Sequence, residues 1–568
     1  MILLLSVFII LSVSCVNAAS TVYVNINGSN SGNGSIDNPY KTISQGINAT
    51  DPNGILHIAN GVYSGENNTN LTINKNMHII GQSQSKTIIN GNGTNWIFKV
   101  DPNVKFTIQK LTLTNATNSN GGAIYNEGTL TANSCTFTGN SATNGDGGAI
   151  YNSNGILNIV NSIFANNTAG NGGAICNIGS LIIESSNFTS NTATNNVTGT
   201  GGGAIYNLGG AIKINDSKFI KNAATGNAGG AIFNQNGTTI NINKSQFIQN
   251  GSHNGGGSIR NNHRETAIII NNCNFTLGNA EYGGAICSSG ILIIINSNFT
   301  QNSVTNAGGA ISNVNGTATI INSTFTNNIG KQKGGAIYSY IGILTVISST
   351  FENNNAPNGE TLHNSGANAT ISFSRIINNG LNEIYNANNS GYVDARYNWW
   401  GSNSNPSKKV NAGVNVDPWL VLTISPNPNT IKTGKTSIIT VDLQHDSNGV
   451  YHNPNKGHVP SGITIKFTET HGTLNPASIT LVNGSATATF TASNAGMAVI
   501  TATADNQTIS THIKINTHPK FNNKTNFSNK NTIKAADTIT IQKTGLPLNY
   551  LLLALLMVIN GLIIPKRK

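Results

Sequence analysis

The chain has 568 residues, enough for several domains. Only 9% are Asp, Glu, Lys or Arg, against roughly 25% in ordinary globular proteins, and the polar load falls on Asn, Ser, Thr and Gly. Lys and Arg outnumber Asp and Glu by 31 to 20, giving +11, but the excess forms no basic run before the last three residues, which argues against a nucleic-acid footprint.

The first eighteen residues are uncharged and mostly apolar and end in Val16-Asn17-Ala18, a small-residue cleavage site, so residues 1–18 read as a signal peptide. The usual basic start is missing, and an uncleaved N-terminal anchor is the alternative. Residues 19–120 read as an N-terminal cap and opening coils. Within them DNPYKTISQGINAT (37–50) is a candidate capping helix, while LTINKNMHIIGQ and FTIQKLTLTNAT are strand phrases.

Residues 121–380 are a repeat. Gly-Gly pairs open units at Gly121, Gly147, Gly172, Gly202 and onward to Gly334, at intervals of about 25 to 30 residues. One Ile column runs from Ile124 to Ile337. Two positions later comes Asn or Ser, from Asn126 to Ser339. Each unit then carries a phrase such as LNIVNSIFANN or INSTFTNN, alternating apolar and polar around Phe. Period two means strand. A lone unit cannot bury its apolar face, but stacked units can, with neighbouring strands about 4.8 Å apart. The fold expected is therefore all-β, a right-handed parallel β-helix. Leucine-rich repeats are the alternative, disfavoured by scarce Leu and by the Gly-Gly corner. Asn columns are expected to form hydrogen-bonded ladders, one after the Ile column and a second three residues after Phe, from Asn140 to Asn354.

The same register predicts no disulfides. Cys176 and Cys287 share the column of Tyr125 and Tyr151, four coils apart, and Cys135 and Cys273 share a Ser column, five coils apart. Neither pair can come within the roughly 7 Å Cα limit of a disulfide.

Residues 381–420 read as closing coils and a C-terminal cap, with Trp399, Trp400 and Trp419 closing the core. Residues 422–516 show short alternating strands between turns, the pattern of a β-sandwich. Residues 517–543 read as a stalk. Residues 545–564 are uncharged and long enough to span a bilayer as one transmembrane helix, and 565–568 form a basic tail on the cytoplasmic side. Lys543-Thr544-Gly545-Leu546-Pro547 leaves open a cell-wall sorting tail instead.

YVNINGSNSGNGSIDNPYKTISQGIN, the GGAIYN and SxFxxN units and NWWGSNSNP together resemble the adhesin-like surface proteins of methanogenic archaea, whose repeats are similar to those of chlamydial polymorphic membrane proteins. The resemblance covers residues about 20–420. Residues 422–516 resemble the bacterial Ig-like modules of invasin-type adhesins. The resemblance implies a body displayed outside the cell, anchored by the C-terminal helix, and binding extracellular glycans or partner-cell proteins without a cofactor. Candidate binding residues are the column aromatics Tyr125, Tyr151, Tyr206 and Tyr338, together with Arg260, His263 and Arg264 of one aberrant coil. Arg260 stands where other units carry Tyr, Phe, Cys or Ser. A buried Arg is costly, so that column is expected to face out. A polysaccharide lyase or hydrolase and a structural envelope component are the rival readings. Asp146, Glu184, Asp216, Glu265 and Glu281 fall in different columns, giving no catalytic or metal-ligating carboxylate cluster. Asn-x-Ser/Thr sequons, including Asn27, Asn115, Asn187, Asn274 and Asn322, make a glycoprotein possible in an exported chain.

Overall fold

Each repeat bends at its glycines and pairs its strands with the coils before and after. In the computed structural model, which describes residues 20–517 apart from positions 198 and 237, the result is a parallel β-solenoid of about 13 turns. After each Gly-Gly corner the chain forms a strand of sheet 1 (13 strands; Ile124–Asn126 is one), then of sheet 2 (16 strands; Thr129–Asn133), then of sheet 3 (13 strands; Thr136–Thr138). A short strand of the nine-stranded sheet 4, such as Ser141–Ala142, leads to the next corner.

The two glycines do different jobs. Gly172 has φ +59°, a left-handed conformation that a Cβ disfavours. Gly173 has no such angle, but a Cβ there would collide with the Gly203 carbonyl of the next coil. Most other corners are turned by polar residues with positive φ, including Asn161, Ser185 and Asp216 between sheets 2 and 3, with Leu277, Ile341 and Phe373 as apolar exceptions.

The lumen is dry and layered. Ile124 pairs in register with Ile150, and Ile150 with Ile175. The sheet 3 phenylalanines from Phe137 to Phe351 stack with ring centroids 4.5 to 4.9 Å apart and planes 2 to 9° from parallel. Adjacent strands ordinarily rotate by about 20–25°, so sheet 3 is close to flat.

Both Asn ladders form. In the first, Asn126 Nδ2 donates to Asn152 Oδ1 at 2.7 Å, Asn152 to Asn177 at 2.8 Å and Asn177 to Asn207 at 2.8 Å. Ser288 and Ser339 have no amide to donate, and the carbonyl oxygens of Asn313 and Asn364 in the coils after them have no donor. The second ladder runs through Asn167, Asn191 and Asn222 and is interrupted at Gly278. The Ser column forms a further ladder: each hydroxyl accepts the backbone N–H one coil back, as from Ser162 N to Ser186 Oγ at 3.0 Å.

All four cysteines among the described residues are free and buried. Cys135 and Cys273 occupy the Ser column, with Cys135 N donating to Ser162 Oγ and Ser245 N to Cys273 Sγ. Burial pushes the Cys135 thiol up to about 12 and that of Cys273 to about 11.

The N-terminal opening is covered by the helix Ile43–Ala49, held by a Thr42–Gln45 capping box and packed so tightly on Val24 and Leu56 that Gly46 has no room for a Cβ. At the other end the Ala column that lines the lumen turns polar, through Thr361 and Glu383. Asn379, last of the second ladder, donates to Glu383 Oε2 at 2.9 Å, and Thr361 Oγ1 donates to the same oxygen at 3.0 Å. Lys409 Nζ is 3.9 Å from Oε1. Burial pushes the Glu383 carboxyl up to about 7 despite the lysine.

Beyond the solenoid, two sheets of four and five strands share a second core containing Ile439, Val441, Phe490, Ile500 and Ile513. Trp400 lies in the solenoid core, and its neighbour Trp399 lies in this second core. Trp419 is partly buried against the solenoid, its Nε1 donating to Asn403 O. The tryptophans thus close cores, as expected. The segments expected to be a signal peptide (1–18), a stalk (517–543, all but its first residue), a transmembrane helix (545–564) and a basic tail (565–568) lie outside the described residues. Among the described residues no helix is long and apolar enough to cross a membrane.

Candidate functional site

The outer column of sheet 1 is where the sequence placed most binding candidates. It runs in register through Tyr125, Tyr151, Cys176, Tyr206, Phe233, Arg260 and Cys287. It points away from the lumen, but it is not the solvent-facing stripe expected. Tyr206 is 6% exposed and Cys176, Phe233 and Cys287 at most 1%, because segments leading into the Gly-Gly corners pack over them. Tyr206 Oη donates to Gly199 O in one such segment. Tyr125 and Tyr151 remain half-buried and stack at 5.2 Å. Tyr338 is well separated from them and stacks on Tyr340. Burial raises the hydroxyls of Tyr151 and Tyr206 to about 12. The sequence could not show this cover, because segment length varies from coil to coil.

Arg260 sits half-buried in that column. It donates to Cys287 Sγ and, at 3.0 Å, to Asn262 Oδ1. The guanidinium is thus accommodated by neighbours within the column. His263, Arg264 and Glu265 are exposed on the turn between the sheet 1 strand Ile259–Asn261 and the sheet 2 strand Ala267–Asn271. The structure therefore brings Arg260, His263 and Arg264 onto one coil, and separates them from Tyr125 and Tyr151.

The sheet 3 outer face is a second candidate. On either side of each buried Phe stand two outward positions. They read Thr136 and Thr138, Ile163 and Ala165, Asn187 and Thr189, Lys218 and Ile220, Gln246 and Ile248, Asn274 and Thr276, Asn298 and Thr300, Thr324 and Thr326. Between Thr112 and Thr350 the only charged member is Lys218. The face is a flat grid of methyl, hydroxyl and amide groups. The sequons Asn187, Asn274 and Asn298 lie on it with exposed side chains.

At the C-terminal end of this grid the chemistry changes. Arg375 follows Thr350 in register. Its guanidinium pairs with Asp505 of the terminal module and, at 3.1 Å, with Glu352. Trp399 Nε1 donates to Asp505 Oδ2 at 2.6 Å, and Ser348 Oγ donates to His458 O at 2.6 Å. Sequence reasoning missed this junction. The available signal was Arg375 itself, a charge in a rank that is uncharged in every earlier coil of the face from Thr112 to Thr350 except at Lys218.

Asp146 is half-buried and accepts from Asn171 Nδ2 at 2.8 Å, and burial raises its carboxyl. Among the described residues no group of three or more His, Cys, Asp or Glu could hold a metal ion.

Two segments, 134–153 and 322–340, match the Chlamydia polymorphic membrane protein repeat. Each runs from the corner before sheet 3, through sheets 3 and 4 and the Gly-Gly corner, into sheet 1. No curated protein sequence matches the chain. Among solved structures, similarity is found to domains 4 and 5 of the S-layer protein SbsC (18% identity, 18% of this chain and 55% of that one, TM-score 0.13). It is also found to a pectin methylesterase in complex with a hexasaccharide (15% identity, 57% and 82%, TM-score 0.24). A third is a mannuronic acid specific polysaccharide lyase from human gut microbiota (11% identity, 61% and 82%, TM-score 0.28). The chain thus spans just over half of the S-layer chain, and at these scores the likenesses carry no functional argument.

Proposed function

We propose that the protein is an adhesin-like cell-surface protein that binds glycans or partner-cell proteins through the outer faces of its solenoid. The observation that carries this reading is the sheet 3 face, a flat and nearly uncharged grid repeated over many coils. Such a face can make many weak, sequence-tolerant contacts to a hydroxylated polymer, and their sum gives avidity. Low charge also makes those contacts insensitive to salt. The polymorphic membrane protein repeats support a surface location. In this reading the terminal two-sheet module is an Ig-like spacer and residues 545–564 anchor the chain. Tyr125, Tyr151 and the Arg260–Arg264 coil are secondary contacts.

The test is to incubate the full chain with a panel of cell-wall and host glycans, measuring retention and release of new sugar ends together. Retention without release is expected. Release of sugar ends would overturn the reading in favour of a polysaccharide lyase or hydrolase, and neither signal would leave a protein ligand or a structural envelope role.

A further inference from the structure

The junction between solenoid and terminal module encloses a cleft of about 370 Å³. That is the small end of the range for ligand pockets, and domain junctions are favoured places for them. One wall is the end of the sheet 3 grid, Thr350 and Arg375; the other is the terminal module, with Ser461, Thr464, Lys466 and Asp505. Thr324, Thr350 and Arg375 are consecutive members of one rank. The nearly uncharged grid therefore runs up to the cleft, where Glu352 and Arg375 bring charge to it.

The lining is rich in hydroxyls and holds two cations of different status. Arg375 is 18% exposed, and its carboxylate partners Asp505 and Glu352 fix its plane. Three of its hydrogen-bond donors are engaged, one on each guanidinium nitrogen. A guanidinium has five N–H groups, so one on each Nη is left over. Lys466 lies on the strand Thr464–Glu469 with an exposed side chain. It forms no ion pair among the described residues, so it is the cation in the lining without a counter-charge.

We infer that this cleft binds the terminal residue of an oligosaccharide bearing a carboxylate, with Lys466 and the spare Arg375 donors on the carboxylate and Thr350, Ser461 and Thr464 on the sugar hydroxyls. The inference rests on the glycan-binding reading above and gives it a site and a ligand class. The rest of the oligosaccharide lies back along Thr324 and Thr326. A planar guanidinium already held on two sides loses little freedom when it meets a further carboxylate. A terminal sugar is specified because the terminal module closes the end of the rank.

The experiment uses the full chain in calorimetric titrations with three probes: a galacturonic acid trimer, a galactose trimer and acetate. Lys466→Glu is the test variant, since an exposed side chain can be reversed in charge without disturbing the core, and Thr350→Val removes one hydroxyl at constant shape. The acid trimer should bind at least tenfold more tightly than the galactose trimer. Lys466→Glu should weaken it at least tenfold with the thermal midpoint unchanged, and Thr350→Val should weaken it severalfold. Equal binding of the two trimers, acetate competing as well as the acid trimer, or an unaffected Lys466→Glu protein would each overturn the inference. If the chain retains neutral polysaccharides from the panel but not the acid trimer, the inference falls and the glycan-binding reading stands. Retention of no glycan sinks both.

Discussion

Asn191 sits in the middle of the second ladder, and its replacement by Ala measures what a ladder amide contributes. Its side chain is fully buried. Its Oδ1 accepts from Asn167 N at 3.1 Å and Asn167 Nδ2 at 2.9 Å. Its Nδ2 donates to Phe164 O at 3.0 Å and Asn222 Oδ1 at 2.9 Å. In Asn191→Ala, Asn222 Oδ1 keeps the backbone donor of residue 191, and Asn167 Nδ2 keeps Phe137 O. The backbone N–H of Asn167 and one of its amide hydrogens are left without partners, while the Phe164 carbonyl keeps its ladder bond to the paired strand. At about 1–3 kcal/mol for each stranded group, relieved in part by relaxation, the expected cost is about 2–4 kcal/mol. Asn298→Ala is the control. That amide is exposed and bonds only Asn274 Oδ1, so it should change stability by no more than about 0.5 kcal/mol. Solenoids open locally, so the assay is native-state hydrogen exchange at the Asn167 amide together with urea unfolding. Asn191→Ala should speed exchange at Asn167 and its neighbouring coils by a hundredfold or more. If both variants fall within 1 kcal/mol of the parent, the ladders are not a source of coil stability and the argument fails.

Gly173→Ala should prevent folding or cost more than about 4 kcal/mol, since backbone of the next coil fills the Cβ position. Gly65→Ala, with positive φ but open space, should cost only about 1 kcal/mol; similar melting losses would contradict this. Glu383→Gln should stabilise the protein at high pH only. Its folded carboxyl titrates at about 7 against an ordinary 4.5. The penalty is therefore absent when both states are protonated below pH 4.5, grows as the unfolded carboxyl ionises, and is complete above pH 7, at about 3 kcal/mol. Urea midpoints that differ equally at pH 4 and pH 8 would refute it. Cys135, Cys176, Cys273 and Cys287 should resist a thiol reagent in the native protein and react after guanidinium unfolding, because all four are buried. Trp399→Ala empties a fully buried site in the second core and removes a donor from Asp505. It should cost about 3–5 kcal/mol and split unfolding into separate transitions, visible by calorimetry; a single unshifted transition would count against the Trp399 contact.

The solenoid was legible because its physics is local and repeated. A coil that must turn at Gly172 and pass close to Gly203 writes Gly-Gly at the same place each time. A column that lines the lumen writes Ile, and one that bridges coils writes Asn. Register then excluded disulfides without coordinates, since two residues in one column but several coils apart cannot meet. The capping helix and the core-closing tryptophans were also legible, the first as the stretch 37–50 ahead of the opening coils and the second from large aromatics where the repeat fades. Burial of the outer column was not legible. Whether Tyr206 reaches solvent depends on how the segments leading into the corners pack over it, and those segments differ in length and sequence. The junction was not legible either, because Arg375 and Asp505 are 130 residues apart and belong to modules with unrelated patterns. Sequence alone therefore determined the repeat, its register and its lumen, where each residue answers to its own backbone and its neighbours one coil away. Only the tertiary structure decided which outer surfaces stay open and where charge gathers, because those depend on contacts between segments that share no period.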